Sequence, residues 1–107
     1  MSQKQGLHTL LLIQYSNNIS TRSYMDYDSV GQAIDGLCQI YEQSIKCAIS
    51  SLKEVTYSID DLIKYINSLY DICMLVRDGS NRKYIPHDRQ WIKDQIMLKI
   101  RRKATIQ

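Results

Sequence analysis

The chain has 107 residues and a formal net charge of +3; 44% of its residues are apolar, 23% are charged, four are glycine and one is proline. This composition predicts one ordered domain and excludes a disordered or low-complexity chain. No run comes near the roughly 18 consecutive apolar residues that span a bilayer, and the N-terminus lacks the pattern of a secretory signal. We therefore expect a soluble intracellular protein that has no membrane partner.

The run from His8 to Gln14 predicts the first strand of a sheet. Successive side chains of a strand point to opposite faces, so Leu10 and Leu12 share one face while Leu11 and Ile13 share the other. Both faces of this strand are apolar. A strand of this kind needs cover on both sides, either within one core or partly from a second molecule.

A turn at residues 16–18 and a second strand at about 20–24 predict a hairpin. After it, apolar residues recur at every third or fourth position, which is the spacing of a helix. Ser29 and Gln32 fit a capping box in which the Gln side chain reaches back to the amide of the cap itself. They begin a first helix of about five turns. Gly36 lies within this helix and indicates a close approach between helix and sheet.

Two further helices are marked by their caps. Residues 48–57 have no apolar period and predict a loop. Ser58 followed by Asp61 gives a second capping signal ahead of an apolar stripe. Asp88 caps a third helix, which carries Trp91 and ends among basic residues that complement the helix dipole.

The second half of the chain predicts another hairpin. Residues 72–76 form a short run that is apolar on both faces, and residues 78–81 carry strong turn chemistry. Residues 82–85 return as the partner strand, which we expect Pro86 to end.

The resulting order is β-β-α-α-β-β-α, an α+β fold with a four-stranded antiparallel sheet. Three helices cover one face of this sheet. Because the other face also presents apolar side chains, we expect two copies to pack sheet against sheet in a homodimer. His8 and Gln14 are polar and flank Leu10 and Leu12 on the same face, which is how an apolar patch ends. The expected interface consists of Leu10, Leu12, Tyr24, Met74 and Val76.

Little in the sequence indicates catalysis, and we expect no enzyme, no cofactor and no metal site. The two histidines, His8 and His87, belong to no recognisable catalytic motif, and Asp60 with Asp61 suits a helix start. The three cysteines are odd in number and lack Cys-x-x-Cys spacing, which predicts reduced thiols in the cytosol or nucleus. They are Cys38, Cys47 and Cys73.

Direct RNA binding is the main alternative to protein binding. Residues 1–76 hold 5 basic and 8 acidic side chains, whereas residues 77–107 hold 9 basic and 3 acidic ones. Such a basic end can attract nucleic acid or an acidic protein segment, although a solvated basic helix is the commoner explanation. No known RNA-binding motif is present. The candidate patch is Arg89, Lys93, Arg101, Arg102 and Lys103.

Several runs resemble the enhancer of rudimentary homolog family. They are His8–Gln14, Tyr24–Val30, Val55–Ile59, Tyr84–Pro86, Trp91–Lys93 and Arg101–Arg102. The resemblance covers residues 7–104 as one domain, which leaves residues 1–6 and 105–107 as expected flexible ends. It implies the same β-β-α-α-β-β-α fold, dimerisation through the sheet, and a small nuclear adaptor without catalytic activity; a cytoplasmic population stays open. Such adaptors bind short segments of RNA-processing and RNA-decay factors, in splicing, small-RNA processing, transcript elimination and cell-cycle progression.

The resemblance also implies phosphorylation by casein kinase 2 at Ser23 and Ser29. Ser23 has the acidic Asp26 three positions later, as this kinase prefers, whereas Ser29 has Gln32 there, which departs from the preferred pattern. A phosphate close to a dimer face repels its symmetry mate. From this we expect Ser23→Glu to weaken dimerisation.

Overall fold

A computed structural model describes residues 7–49, 51, 56–79 and 82–106, with side chains described as far as residue 100. Its elements follow the predicted β-β-α-α-β-β-α order, and the sheet is antiparallel throughout, with strand order β2-β1-β3-β4. The elements are β1 (Thr9–Gln14), β2 (Arg22–Tyr27), α1 (Val30–Ala48), α2 (Ile59–Ser68), β3 (Asp71–Arg77), β4 (Tyr84–His87) and α3 (Arg89–Ile106). The expected flexible N-terminus lies outside the described residues, as does Gln107.

One face of the sheet is covered by helices. Helix α1 packs against β1 and β2, α3 packs against β3, and α2 packs against α1 and α3. The side chains between these layers form a single apolar core, in which Leu11, Leu37, Ile66 and Ile92 have no exposed surface. The strand parity that we predicted for β1 is therefore confirmed, because Leu11 and Ile13 face the helices.

The expected placement of Met74 and Val76 on the opposite face is wrong. These side chains are 0% and 7% exposed and belong to the core beneath the helices. The register pairs Leu12 with Cys73 and Leu10 with Leu75, so Cys73 and Leu75 share the face of the two β1 leucines. Because β3 is apolar on both faces, apolarity alone does not reveal its parity.

Side-chain hydrogen bonds cap the N-termini of α1 and α2. Ser58 and Asp61 form the predicted capping box, in which each side chain accepts the other residue's amide at 3.2 Å. Ser29 caps α1 as predicted by accepting the Gln32 amide at 3.1 Å. The Gln32 side chain, however, accepts the amide of Asp28 rather than that of Ser29, so the expected reciprocal bond is shifted by one residue.

Two strand boundaries differ from the prediction. Strand β2 begins at Arg22 rather than at about residue 20, because a short 3-10 turn at Ile19–Thr21 precedes it. Strand β4 continues through Pro86 to His87. Asp78 N donates to Lys83 O, which continues the β3–β4 ladder and leaves Pro86 at a position facing away from β3. A proline fits such an edge position because no ladder donor is needed there.

The predicted close approach at Gly36 is confirmed. A Cβ added at this position would lie 2.7 Å from Cε1 of Tyr27, and still nearer to other atoms of that ring. Gly36 is buried, and the absence of its side chain lets the hydroxyl end of the β2 tyrosine approach the backbone of α1. This contact sets the distance between α1 and the edge of the sheet.

Candidate interaction surfaces

The described side chains do not assemble a metal-binding cluster. Within residues 7–49, 51, 56–79 and 82–100, no group of three or more His, Cys, Asp or Glu side chains is positioned to hold a metal ion. In the described part of the chain, no helix is both long enough and apolar enough to cross a membrane. Two surfaces of the fold have the shape and composition of binding sites for other molecules.

The first surface is the side of the sheet that the helices do not cover. We call it the open sheet face and define it by Leu10, Leu12, Tyr24, Cys73 and Leu75, which the strand registers bring side by side. Leu10, Leu12 and Leu75 are partly exposed, and the Tyr24 side chain projects with 73% of its surface accessible. Leu10, Leu12 and Tyr24 were predicted for this face, whereas Cys73 and Leu75 replace the two residues that lie in the core.

Polar groups border the open sheet face at both ends. At one end, Arg22 Nε donates to Gln14 Oε1 at 2.7 Å, beside a shallow cavity of about 280 Å³ that Leu12 and Cys73 also line. At the other end, His8 Nδ1 lies 2.7 Å from the Tyr84 hydroxyl, and His8 Nε2 lies 3.5 Å from Asp26 Oδ2. An apolar centre within a polar rim is the usual anatomy of a protein interface.

The second surface is a groove between the outer strand β2 and helix α1. We call it the β2 groove and define it by Met25 and Tyr27 of β2, Gln39, Ile40 and Gln43 of α1, and Tyr65 of α2. Its volume is about 600 Å³, which is in the range of sites that hold ligands or several side chains of a partner. The Tyr27–Gly36 contact closes one side of the groove.

Glu42, the acidic residue in the wall of the β2 groove, already accepts a hydrogen bond. Tyr57 donates its hydroxyl hydrogen to Glu42 Oε2 at 2.7 Å, and Tyr57 also packs edge-on against Tyr41. Burial, followed by this hydrogen bond to Glu42, raises the pKa of Tyr57 well above its ordinary value. The phenol therefore stays protonated at neutral pH, and the pair fixes the loop before α2 onto α1.

The two expected phosphorylation sites occupy different environments. The Ser29 hydroxyl is the α1 cap. Ser23 pairs with Ile13 in the sheet and has the same parity as Met25, so its side chain lies on the helix side of β2. Its Oγ is buried and has no hydrogen-bond partner among the described residues. By strand parity Ser23 thus does not belong to the open sheet face, although it lines the cavity of about 280 Å³ at the end of that face, and its phosphorylation stays a prediction.

The chain matches the family model described as "Enhancer of rudimentary" over residues 5–106. It belongs to the enhancer of rudimentary family. It is 45% identical over 97 residues to the enhancer of rudimentary homolog of Arabidopsis thaliana, covering 91% of this chain and 89% of that relative. Over 89 residues it is 38% identical to the homolog of Caenorhabditis elegans, covering 83% and 86% of the two chains. The protein enhancer of rudimentary of Drosophila virilis is 38% identical over 97 residues, with 91% and 93% covered.

In this member of the enhancer of rudimentary family, two residues of the expected basic patch have structural partners. Arg89 Nη2 donates to the carbonyls of Leu69 at 2.8 Å and Tyr70 at 3.3 Å, where it closes the C-terminal end of α2. Lys93 Nζ donates to Asn67 Oδ1 at 2.9 Å. The other three residues of the expected patch belong to helix α3, and their side chains are outside the described part of the chain. They are Arg101, Arg102 and Lys103.

The sequence did not reveal the β2 groove. Its walls come from three elements, and its depth depends on the packing of Tyr27 against Gly36, which is a tertiary contact. The one sequence signal that pointed to this groove was the glycine within α1.

The sequence does contain a signal for the parity of β3. The polar Asp71 and Arg77 flank Cys73 and Leu75 on one face, just as His8 and Gln14 flank the leucines of β1.

Proposed function

We propose that this chain is a non-enzymatic nuclear adaptor that forms a homodimer and binds segments of RNA-processing and RNA-decay factors. In this role it supports splicing, small-RNA processing or transcript elimination, and cell-cycle progression. The enhancer of rudimentary homologs that it matches do not bear the names of enzymes. Their names say nothing further about partners, so the partner class rests on the family resemblance.

The open sheet face is the observation that carries the proposal. Leu10, Leu12 and Leu75 lie side by side on the face of the sheet that the helices do not cover. A second copy would cover these side chains through a two-fold contact, since sheets pack face to face at about 10 Å. The dimer would then present two copies of every groove to its partners, which suits an adaptor.

The basic end gives less support to direct RNA binding. The Arg89 guanidinium is committed to the end of α2, and the Lys93 ammonium is held by Asn67. Lys99 bridges to Asp35 and to the carbonyl of Gly31, which ties α3 to α1. These contacts stabilise the packing of the helices and occupy donors that phosphates would need, and Asp35 offsets the charge of Lys99.

A split pull-down tests the proposal. Tagged full-length protein is used to capture partners from nuclear extract, and half of the sample is treated with nuclease before mass spectrometry. We expect a small set of RNA-processing proteins to remain at full yield after nuclease. Loss of these partners together with the RNA would instead favour direct RNA binding through α3, and a steep decrease of binding with salt would accompany it.

A further inference from the structure

Strand β2 forms an edge of the sheet, and its outward backbone groups can be assigned. Arg77 N donates to His8 O, which continues the β1–β3 ladder and turns the even-numbered residues of β1 toward β3. Tyr15 N donates to Thr21 O, so the odd-numbered residues of β1 pair with odd-numbered residues of β2. Because bonded pairs alternate along an antiparallel ladder, Tyr24 and Asp26 direct their N–H and C=O groups away from β1.

The side chains at this edge point to two different environments. Met25 and Tyr27 line the β2 groove on the helix side, whereas Tyr24 and Asp26 lie on the side of the open sheet face. An added strand would follow the same alternation. Every second side chain of the guest would enter the groove, and the intervening ones would lie beside Tyr24 and Asp26.

The chemistry of the guest follows from these two environments. The groove offers Met25, Tyr27, Ile40 and Tyr65 as apolar contacts, so it favours apolar side chains. The other side carries the Asp26 carboxylate, whose side chain is 70% exposed, and the exposed Asp28 follows at the end of the strand. Arg22 keeps its positive charge at the opposite end of β2, where its Nε donates to Gln14, so the negative charge lies at the Asp26–Asp28 end of the edge. This end of the edge therefore complements positive charge.

We propose that the β2 edge binds an extended partner segment in which apolar residues alternate with lysine or arginine, as an additional antiparallel or parallel strand. The apolar residues fill the β2 groove, and a basic residue lies beside Asp26. This inference rests on the proposed adaptor function and names the site and the partner class. It is compatible with a dimer through the open sheet face, since the edges of two stacked sheets stay at the perimeter.

A synthetic probe tests this site directly. The probe is a fluorescein-labelled ten-residue peptide that alternates leucine or valine with lysine or arginine. One control peptide carries glutamate in place of the basic residues, and a second has the same composition as the probe with its apolar and basic residues in two blocks. By fluorescence anisotropy with the full-length chain, we expect the probe to bind at least about tenfold more tightly than either control, which corresponds to about 1.4 kcal/mol.

Two matched substitutions locate the binding. Gln43 is an exposed groove residue, and Gln43→Arg adds bulk and positive charge there, so we expect it to weaken probe binding by about tenfold or more. Gln90→Arg makes the same change at an exposed position of α3 and should leave binding unchanged. Bound probe should also slow hydrogen exchange at the amides of Tyr24 and Asp26.

The results of these experiments distinguish failure of the proposed docking site from failure of the proposed adaptor function. Absence of probe binding, equal binding of the control peptides, or binding that Gln43→Arg leaves intact would each overturn the β2 edge as the docking site. If the chain is nevertheless dimeric and keeps nuclease-resistant partners, the adaptor function stands and only its location is wrong. If the wild-type chain is monomeric and loses its partners with nuclease, the proposed function itself fails.

Discussion

At the scale of single residues, the sequence and the structure indicate different roles for Ser23. Its pattern with Asp26 is that of a kinase site, yet its Oγ is buried without a hydrogen-bond partner among the described residues. A buried hydroxyl without a partner is a cost to folding rather than a contribution. The hydroxyl is therefore dispensable for the fold, whereas added charge at this position is not tolerated in the same geometry.

We expect Ser23→Ala to leave the free energy of unfolding unchanged or to raise it by up to about 1 kcal/mol. Ser23→Glu should lower it by about 2 kcal/mol or more, because a carboxylate would be forced into the helix side of β2. Ser20→Glu is the matched control at an exposed turn position and should change it by less than about 0.5 kcal/mol. Urea denaturation followed by circular dichroism measures all three. Equal stability of Ser23→Glu and wild type would show that the side chain turns outward.

At the scale of elements, the two glycines of α1 provide a test of the α1–β2 contact. At Gly31 the nearest atoms to an added Cβ are Ser29 Oγ at 3.8 Å and Lys99 Nζ at 3.9 Å, so alanine fits there. At Gly36 the same methyl group collides with the Tyr27 ring. The intrinsic helix propensity of alanine favours both substitutions by up to about 1 kcal/mol, so only the packing differs.

We therefore expect Gly31→Ala to raise the free energy of unfolding by up to about 1 kcal/mol. Gly36→Ala should lower it by about 1–3 kcal/mol, because Tyr27 has to move away from α1. Thermal denaturation of the two variants beside wild type measures the difference. If Gly36→Ala is as stable as Gly31→Ala, the ring of Tyr27 relaxes without cost and does not set the position of the helix.

The elements also show what local sequence determines. Caps, turns and apolar period gave the order of all seven main elements, since these signals lie within a single segment of the chain. Boundaries that depend on neighbours were less accurate: β2 starts after a 3-10 turn, and β4 passes through Pro86 because it is an edge strand. The β2 groove was not predictable because its walls come from three elements that only the fold brings together.

At the scale of the whole molecule, the central question is what covers the open sheet face. Stable dimers bury roughly 1,200–2,000 Å² in total, with an apolar centre and a polar rim. The open sheet face has this arrangement, with Leu12 near its centre and the Gln14–Arg22 and His8–Asp26 pairs at its ends. A charge at the centre would be buried without a partner in the dimer but solvated in the monomer.

We expect wild-type protein at micromolar concentration to have twice its chain mass of 12.5 kDa by light scattering. Leu12→Arg should give the monomer mass while the chain stays folded, and Leu75→Arg should do the same because it lies on the same face. Leu98→Arg is the matched control on α3, where the side chain is 43% exposed, and should stay dimeric. Met74→Arg should instead unfold the chain, because this side chain has no exposed surface. A monomeric wild type that Leu12→Arg leaves unchanged would mean that another molecule, and not a second copy, covers the open sheet face.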